Sequence, residues 1–137
     1  MKLSSKSRYG LNVMVILAEH FSENEPLSVS FLSKQVLVTE KYLEQILNIL
    51  KKSKLVEAQR GSQGGYRLMK DPTDITVGEI LRALEDDLKF VECLNNKCKN
   101  NKRCKSFSIW TKLYLEINNF LDSINLESLI KKEEVKQ

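Results

Sequence analysis

Thr39-Glu40-Lys41-Tyr42-Leu43-Glu44-Gln45-Ile46-Leu47-Asn48-Ile49-Leu50-Lys51 is the stretch on which the fold turns. Leu43, Ile46, Leu47 and Leu50 recur at the i, i+3, i+4, i+7 spacing of one helical face, while Lys41, Glu44, Gln45, Asn48 and Lys51 fall on the other. Thr39 is a residue type whose hydroxyl caps the first amides of a helix, so the helix is predicted to begin there. Its polar side is left for water or for a partner.

Just upstream, Ser28 or Ser30 can cap a shorter helix carrying Val29, Leu32 and Val36, joined to the next by Val36-Leu37-Val38. Two short helices across a tight turn, the second polar on its outer face, form the helix-turn-helix layout. Downstream, Leu55-Val56-Glu57-Ala58-Gln59 and Tyr66-Arg67-Leu68-Met69 read as two strands around Arg60-Gly61-Ser62-Gln63-Gly64-Gly65. That loop holds three of the chain's five glycines, as a hairpin tip needing unusual backbone would. The hairpin is the wing.

Farther out, the segment at about 7–21 is apolar nearly all round through Leu11, Val13, Met14, Val15, Ile16, Leu17 and Ala18, which calls for a helix packed between two layers. Thr76 with Glu79 three residues on spells a capping box for a helix burying Val77, Ile80, Leu81 and Leu84. A polar, lysine- and asparagine-rich loop follows from about 86 to 104. Then Phe107, Trp110, Leu113, Tyr114, Ile117, Phe120 and Leu121 stripe a long helix. So wide a face, placed after a domain that has already closed its core, is expected to pair with a second copy of itself. The expected class is mainly α with a small β-hairpin: a winged helix-turn-helix at 1–85, a cysteine-containing sensor loop at 86–105, a dimerisation helix and short terminal helix at 106–130, and a charged, frayed tail at 131–137.

Bulk properties agree. A chain of 137 residues, 42% apolar and 29% charged, suits one domain with a modest extension. No apolar run approaches a membrane span and the start of the chain has no signal-peptide core, so a cytoplasmic protein without a membrane partner is expected. The net charge of +4 is too mild to decide a partner by itself.

The chemistry of reading DNA needs short polar or charged side chains at the N-terminal half of the second helix, and Thr39, Lys41, Glu44 and Gln45 occupy it. Glu44 suits a cytosine amino group, Gln45 an adenine, and Lys41 a guanine or a phosphate. A cation flanked by glycines suits a narrow minor groove, where Arg60 beside Gly61 would sit. Lys6, Arg8, Lys51, Lys52 and Lys54 are candidate phosphate contacts, fixing position without reading sequence. With one histidine, no Ser/His/Asp or Cys/His constellation can form, and no phosphate-cradling loop with its lysine is present, so no enzyme is expected.

Residues 2–4 (Lys-Leu-Ser), 8–11 (Arg-Tyr-Gly-Leu), 42–45 (Tyr-Leu-Glu-Gln), 60–61 (Arg-Gly), 64–66 (Gly-Gly-Tyr) and 76–80 (Thr-Val-Gly-Glu-Ile) together resemble the bacterial winged-helix regulators of the IscR, NsrR and CymR type, with IscR-like members nearest. The resemblance covers nearly the whole chain. It implies a homodimer with crossed long helices bound to an inverted repeat at promoters, acting as a repressor, with Glu44 and its neighbours in the major groove and Arg60 in the minor groove.

Cys93, Cys98 and Cys104 lie within twelve residues, among Lys97, Lys99, Lys102 and Arg103. Thiolates so close repel unless a cation or cluster holds them. Spacing alone leaves open an iron-sulfur cluster, a structural zinc, a thiol switch and unliganded cysteines. The IscR resemblance implies a 2Fe-2S cluster on these three residues. The first two are one residue closer together than in the IscR pattern, and the position of its histidine ligand is Phe107. The acidic ligand of NsrR-like members corresponds to Arg8, and His20 is expected in an exposed, solvated role. A fourth ligand is therefore unidentified, with Glu92, Asn95, Ser106, Ser108, a partner-subunit group or an external thiol open. The other reading is a cluster-free, CymR-like regulator of cysteine and sulfur metabolism working with a protein corepressor.

Overall fold

A computed structural model describes residues 2–85, 88–89, 94 and 102–134, of which 131–134 are described by backbone alone. The helices are α1 (Ser5–Glu19), α2 (Val29–Val36), α3 (Glu40–Lys52), α4 (Val77–Leu84), α5 (Phe107–Asp122) and α6 (Leu126–Glu134). Strands β1 (Val56–Gln59) and β2 (Gly65–Leu68) stand between α3 and α4, and short 3-10 turns lie at Phe21–Glu23 and Pro72–Asp74. The fold is mainly helical with one antiparallel hairpin, as the sequence predicts.

α1 is the central helix, touching α2, α3, α4, α6 and β2. That is why it is apolar around most of its circumference: Val13, Met14, Leu17 and Ala18 are buried, and Leu11, Val15 and Ile16 pack at the margins of the core. It begins earlier than its apolar pattern suggests, because Ser4 caps it by accepting the Ser7 N–H. Gly10 has no room for a Cβ, since the Leu84 side chain of α4 lies against it.

α2 is capped by Ser28, whose Oγ accepts the Phe31 N–H at 3.1 Å. It ends at Leu37, a leucine in the left-handed region with φ 60°. For a residue with a Cβ that conformation costs about 1–2 kcal/mol. In the hairpin, Val56 pairs with Leu68, Glu57 with Arg67, Ala58 with Tyr66 and Gln59 with Gly65. Both strands start one residue before or after the sequence expectation, because Leu55 N–H is drawn back to the Leu50 carbonyl (3.0 Å) and Met69 N–H leaves the ladder for the Leu55 carbonyl (3.1 Å). Leu27 adds a third rung by exchanging two hydrogen bonds with Tyr66, at 2.9 and 2.8 Å.

One core joins α1, α2, α3, the hairpin and α4, and Leu126 of α6 is fully buried in it. α6 is tied to the approach of α4 by Leu126 N–H to the Ile75 carbonyl (3.0 Å) and Val77 N–H to the Ile124 carbonyl (2.8 Å). A second, smaller core gathers Val77, Leu81 and Leu88 with Leu3, Leu11, Leu121, Ile124 and Leu129 around them. α6 continues through Glu134, into the stretch expected to be a frayed tail.

α5 differs from every other long helix here. None of its sixteen residues is buried within the chain. Ile109, Leu113, Leu115 and Phe120 are exposed, Phe120 at 62%. Its C-terminal end is held to α4, where Arg82 Nη1 donates to Asn118 Oδ1 (2.9 Å) and Arg82 pairs with Asp122. Among the described residues, no helix is long and apolar enough to cross a membrane.

Candidate nucleic-acid interface

The α3 helix is fixed from its inner face outward. Leu43, Ile46, Leu47 and Leu50 have no exposed surface, so the helix cannot rotate about its axis without losing core contacts. Thr39 Oγ1 accepts the Tyr42 N–H at 3.1 Å and closes the first turn. Tyr42 then meets the Tyr9 ring of α1 edge-on, with centroids 6.1 Å apart. Glu40 in the first turn and Lys51 and Lys52 in the last complement the helix dipole. What remains outside is a polar surface of exposed Thr39, Lys41, Glu44 and Gln45.

Lys51 is also exposed but lies at the far end, about 15 Å along the axis from Lys41 at 1.5 Å per residue. Arg8 is exposed on α1, where its Nη2 reaches Ser5 Oγ at 3.4 Å. Neither belongs to the cluster at the start of α3.

At the wing tip Arg60 is exposed and Gly61 takes φ 111°, a conformation open to glycine, with nothing nearby to meet a Cβ. The turn is closed by Gly64 N–H on the Gly61 carbonyl at 3.0 Å. Gly65 serves a different purpose: a Cβ there would run into the backbone of Leu27 and Ser28, so its bareness lets the third rung form. The Glu57–Arg67 ion pair, 2.7 Å across the strands, stiffens the stem.

Of the three cysteines, Cys104 lies among the described residues; Cys93 and Cys98, like Glu92, Asn95, Lys97 and Lys99, lie outside them. Cys104 is half-exposed just ahead of α5, its Sγ 3.4 Å from Ser106 Oγ. The Ser106 hydroxyl, with the backbone N–H groups of Ser106 and Phe107, holds the thiol below its ordinary pKa against a smaller opposing effect of burial. Ser106 Oγ also accepts the Trp110 indole N–H at 3.1 Å. Phe107, in the place of a histidine, is half-buried at the start of α5. His20 is less solvated than the sequence suggests: its Nδ1 lies 2.9 Å from Glu23 Oε2 and its ring packs edge-on against Phe31.

A profile described as "Rrf2: Iron-dependent Transcriptional regulator" matches residues 3–132. The chain belongs to the Rrf2 family. It is 35% identical over 136 residues to the HTH-type transcriptional regulator IscR of Photorhabdus laumondii, covering 98% of this chain and 82% of that protein. It is 36% identical over 138 residues to IscR of Aliivibrio salmonicida, covering 100% and 82%. Among solved structures, T. potens IscR superposes with a TM-score of 0.78 at 38% identity over 100% of this chain and 92% of that one. CymR (YrzC), the global cysteine regulator of B. subtilis, superposes at 0.81 with 36% identity over 96% and 98%. As an Rrf2 member this chain is a winged-helix transcriptional regulator, a class that binds DNA and is not enzymatic.

Some structurally telling residues of this Rrf2 chain are silent in the sequence. Glu85 Oε2 accepts the Ser4 N–H (2.7 Å), the Ser4 hydroxyl (2.8 Å) and the hydroxyl of Ser7, which is fully buried. Arg82 is an exposed helix residue whose partners lie 36 and 40 positions away. Leu37 had only one signal, an apolar residue at a turn where glycine is the usual occupant.

Proposed function

We propose that this Rrf2 regulator acts as a homodimeric repressor that sets α3 into the major groove of each half of an inverted repeat in double-stranded promoter DNA. Arg60 and Gly61 of the wing reach the neighbouring minor groove. One observation carries the reading: an immobile helix, its inner face wholly buried, presents Thr39, Lys41, Glu44 and Gln45 beside an arginine-tipped, glycine-built hairpin. Glu44 and Gln45 then read base edges, while Thr39, Lys41, Arg8 and Lys51 meet the phosphates or groove rim. The second copy is supported by α5, whose apolar residues have no burial within one chain. Residues 1–85 are the DNA-binding part, 86–105 the sensor segment and 106–130 the dimer element.

The sensing part of the proposal is a 2Fe-2S cluster on Cys93, Cys98 and Cys104. The donor chemistry at Cys104 fits, because its surroundings favour the thiolate that binds iron. Ser106 Oγ, close to the Cys104 sulfur, is an oxygen donor at the right end of α5 for the fourth position. Such a cluster, when bound, supplies a redox- and oxygen-labile group whose presence reports iron-sulfur status. Anaerobic purification followed by iron and acid-labile sulfide analysis tests it. Iron at background level with DNA binding intact overturns the cluster while leaving the DNA reading in place. The DNA reading is tested by Glu44→Ala with Arg60→Ala, which are expected to abolish operator discrimination in a gel shift; unchanged discrimination overturns it.

A second reading is favoured by Phe107 and Arg8, which remove both nitrogen and carboxylate ligands known from the resemblance, and by the likeness to CymR. It is a cluster-free regulator of cysteine and sulfur metabolism with a protein corepressor. Promoter regulation that survives replacement of all three cysteines by serine selects this reading over the first.

A further inference from the structure

We propose that Leu37, in the turn between α2 and α3, reads a base: its side chain covers the C5-methyl group of a thymine at the edge of the major-groove site. The inference rests on the DNA-binding reading above and adds to it a residue and a base preference.

The fold has no use for this side chain. Leu37 stands at φ 60°, where a Cβ crowds the following carbonyl and glycine is the ordinary occupant. The capping work is done by backbone alone, the N–H groups of Leu37 and Val38 both closing on the Ser33 carbonyl. Val38 turns inward and packs on the core, whereas Leu37 is 85% exposed, the most exposed large apolar residue among those described. A bulky apolar group kept in a strained conformation and in water points to a contact outside the chain.

Position and surroundings say which contact. Leu37 lies two residues before the Thr39 cap, so it stands at the end of α3 that enters the groove. Lys34 and Lys41, both exposed, flank it three residues before and four residues after, a cationic setting that suits a duplex. Among the groups displayed in the major groove the thymine methyl is the apolar one. A leucine cannot hydrogen-bond, so it separates thymine from the other bases by that methyl alone.

The test uses the full chain and the duplex it selects from random sequence, with deoxyuridine replacing each thymine in turn. Wild type is expected to lose about fourfold in affinity at one position per half-site, the worth of one buried methyl-sized group. Leu37→Ala is expected to bind more weakly and to be indifferent to deoxyuridine at that position. Leu37→Gly is expected to unfold at higher urea than wild type yet bind DNA more weakly, a pairing of effects that a merely structural residue would not give. The inference is overturned if Leu37→Ala keeps the wild-type ratio of thymine to deoxyuridine binding, or if it changes the oligomeric state in place of DNA affinity. Should Arg60→Ala and Glu44→Ala weaken binding while Leu37→Ala does not, only the role of Leu37 fails. Should all three bind as wild type does, the DNA geometry itself fails.

Discussion

Glu85 shows how much a single carboxylate can organise. Burial drives its pKa upward, but the Ser7 hydroxyl and the Ser4 N–H and hydroxyl donate to the charged form, Lys6 adds attraction, and the net result lies below the ordinary carboxylate value. A folded-state pKa below the unfolded one stabilises the fold above the unfolded value, and that contribution disappears as pH falls through the folded value. Glu85→Ala is therefore expected to lower the unfolding free energy by about 1–3 kcal/mol at neutral pH, since the fully buried Ser7 hydroxyl loses its acceptor. Urea titrations should show the gap from wild type narrowing with acidification; a gap that stays constant down to about pH 3 would mean that the charge is immaterial. Thr39→Ala removes the α3 cap and is expected to cost about 1 kcal/mol, which Thr39→Ser recovers. Nothing in the sequence exposes the Glu85 clasp, because its partners are 78 and 81 residues away and each is an unremarkable serine.

Among the elements, those set by local rules were legible in advance. The buried face of α3, the Thr76–Glu79 capping box of α4 and the glycine-rich wing each follow from spacing within one turn or one hairpin. The stripe on α5 was legible too, although Ile109 and Leu115 widen its apolar surface beyond the residues the pattern selects. What sequence spacing cannot convey is pairing between distant segments. Leu27 looks like a linker residue, yet it forms the third rung of the sheet, and this gives Gly65 its importance. Gly65→Ala sets a methyl against backbone atoms that have no rotamer to escape into. It is expected to cost at least about 1–3 kcal/mol and to speed amide exchange at Leu27 and Tyr66 more than at Val56, as measured by NMR.

For the molecule as a whole, the proposed two-fold pairing ties oligomeric state to affinity. Leu113→Glu with Phe120→Glu adds charge to residues that are already 40% and 62% exposed in one chain, so the helical circular dichroism should persist. Sedimentation equilibrium is expected to report a monomer, and binding to a two-half-site duplex should weaken by about 100-fold or more as the second contact stops being intramolecular. A dimer that survives both substitutions would move the pairing surface off α5. The path of the chain adds a further consequence. It departs from the reading head at Glu85 and re-enters it at Leu126, whose side chain is as deeply enclosed as any in the first core. The cysteine segment and its helix are thus an excursion anchored at both ends and not a trailing appendage. Severing the chain after α4 would open a void beneath α1, so the head is not separable from the part that follows it, and strain arising anywhere along the excursion is delivered to both anchors at once.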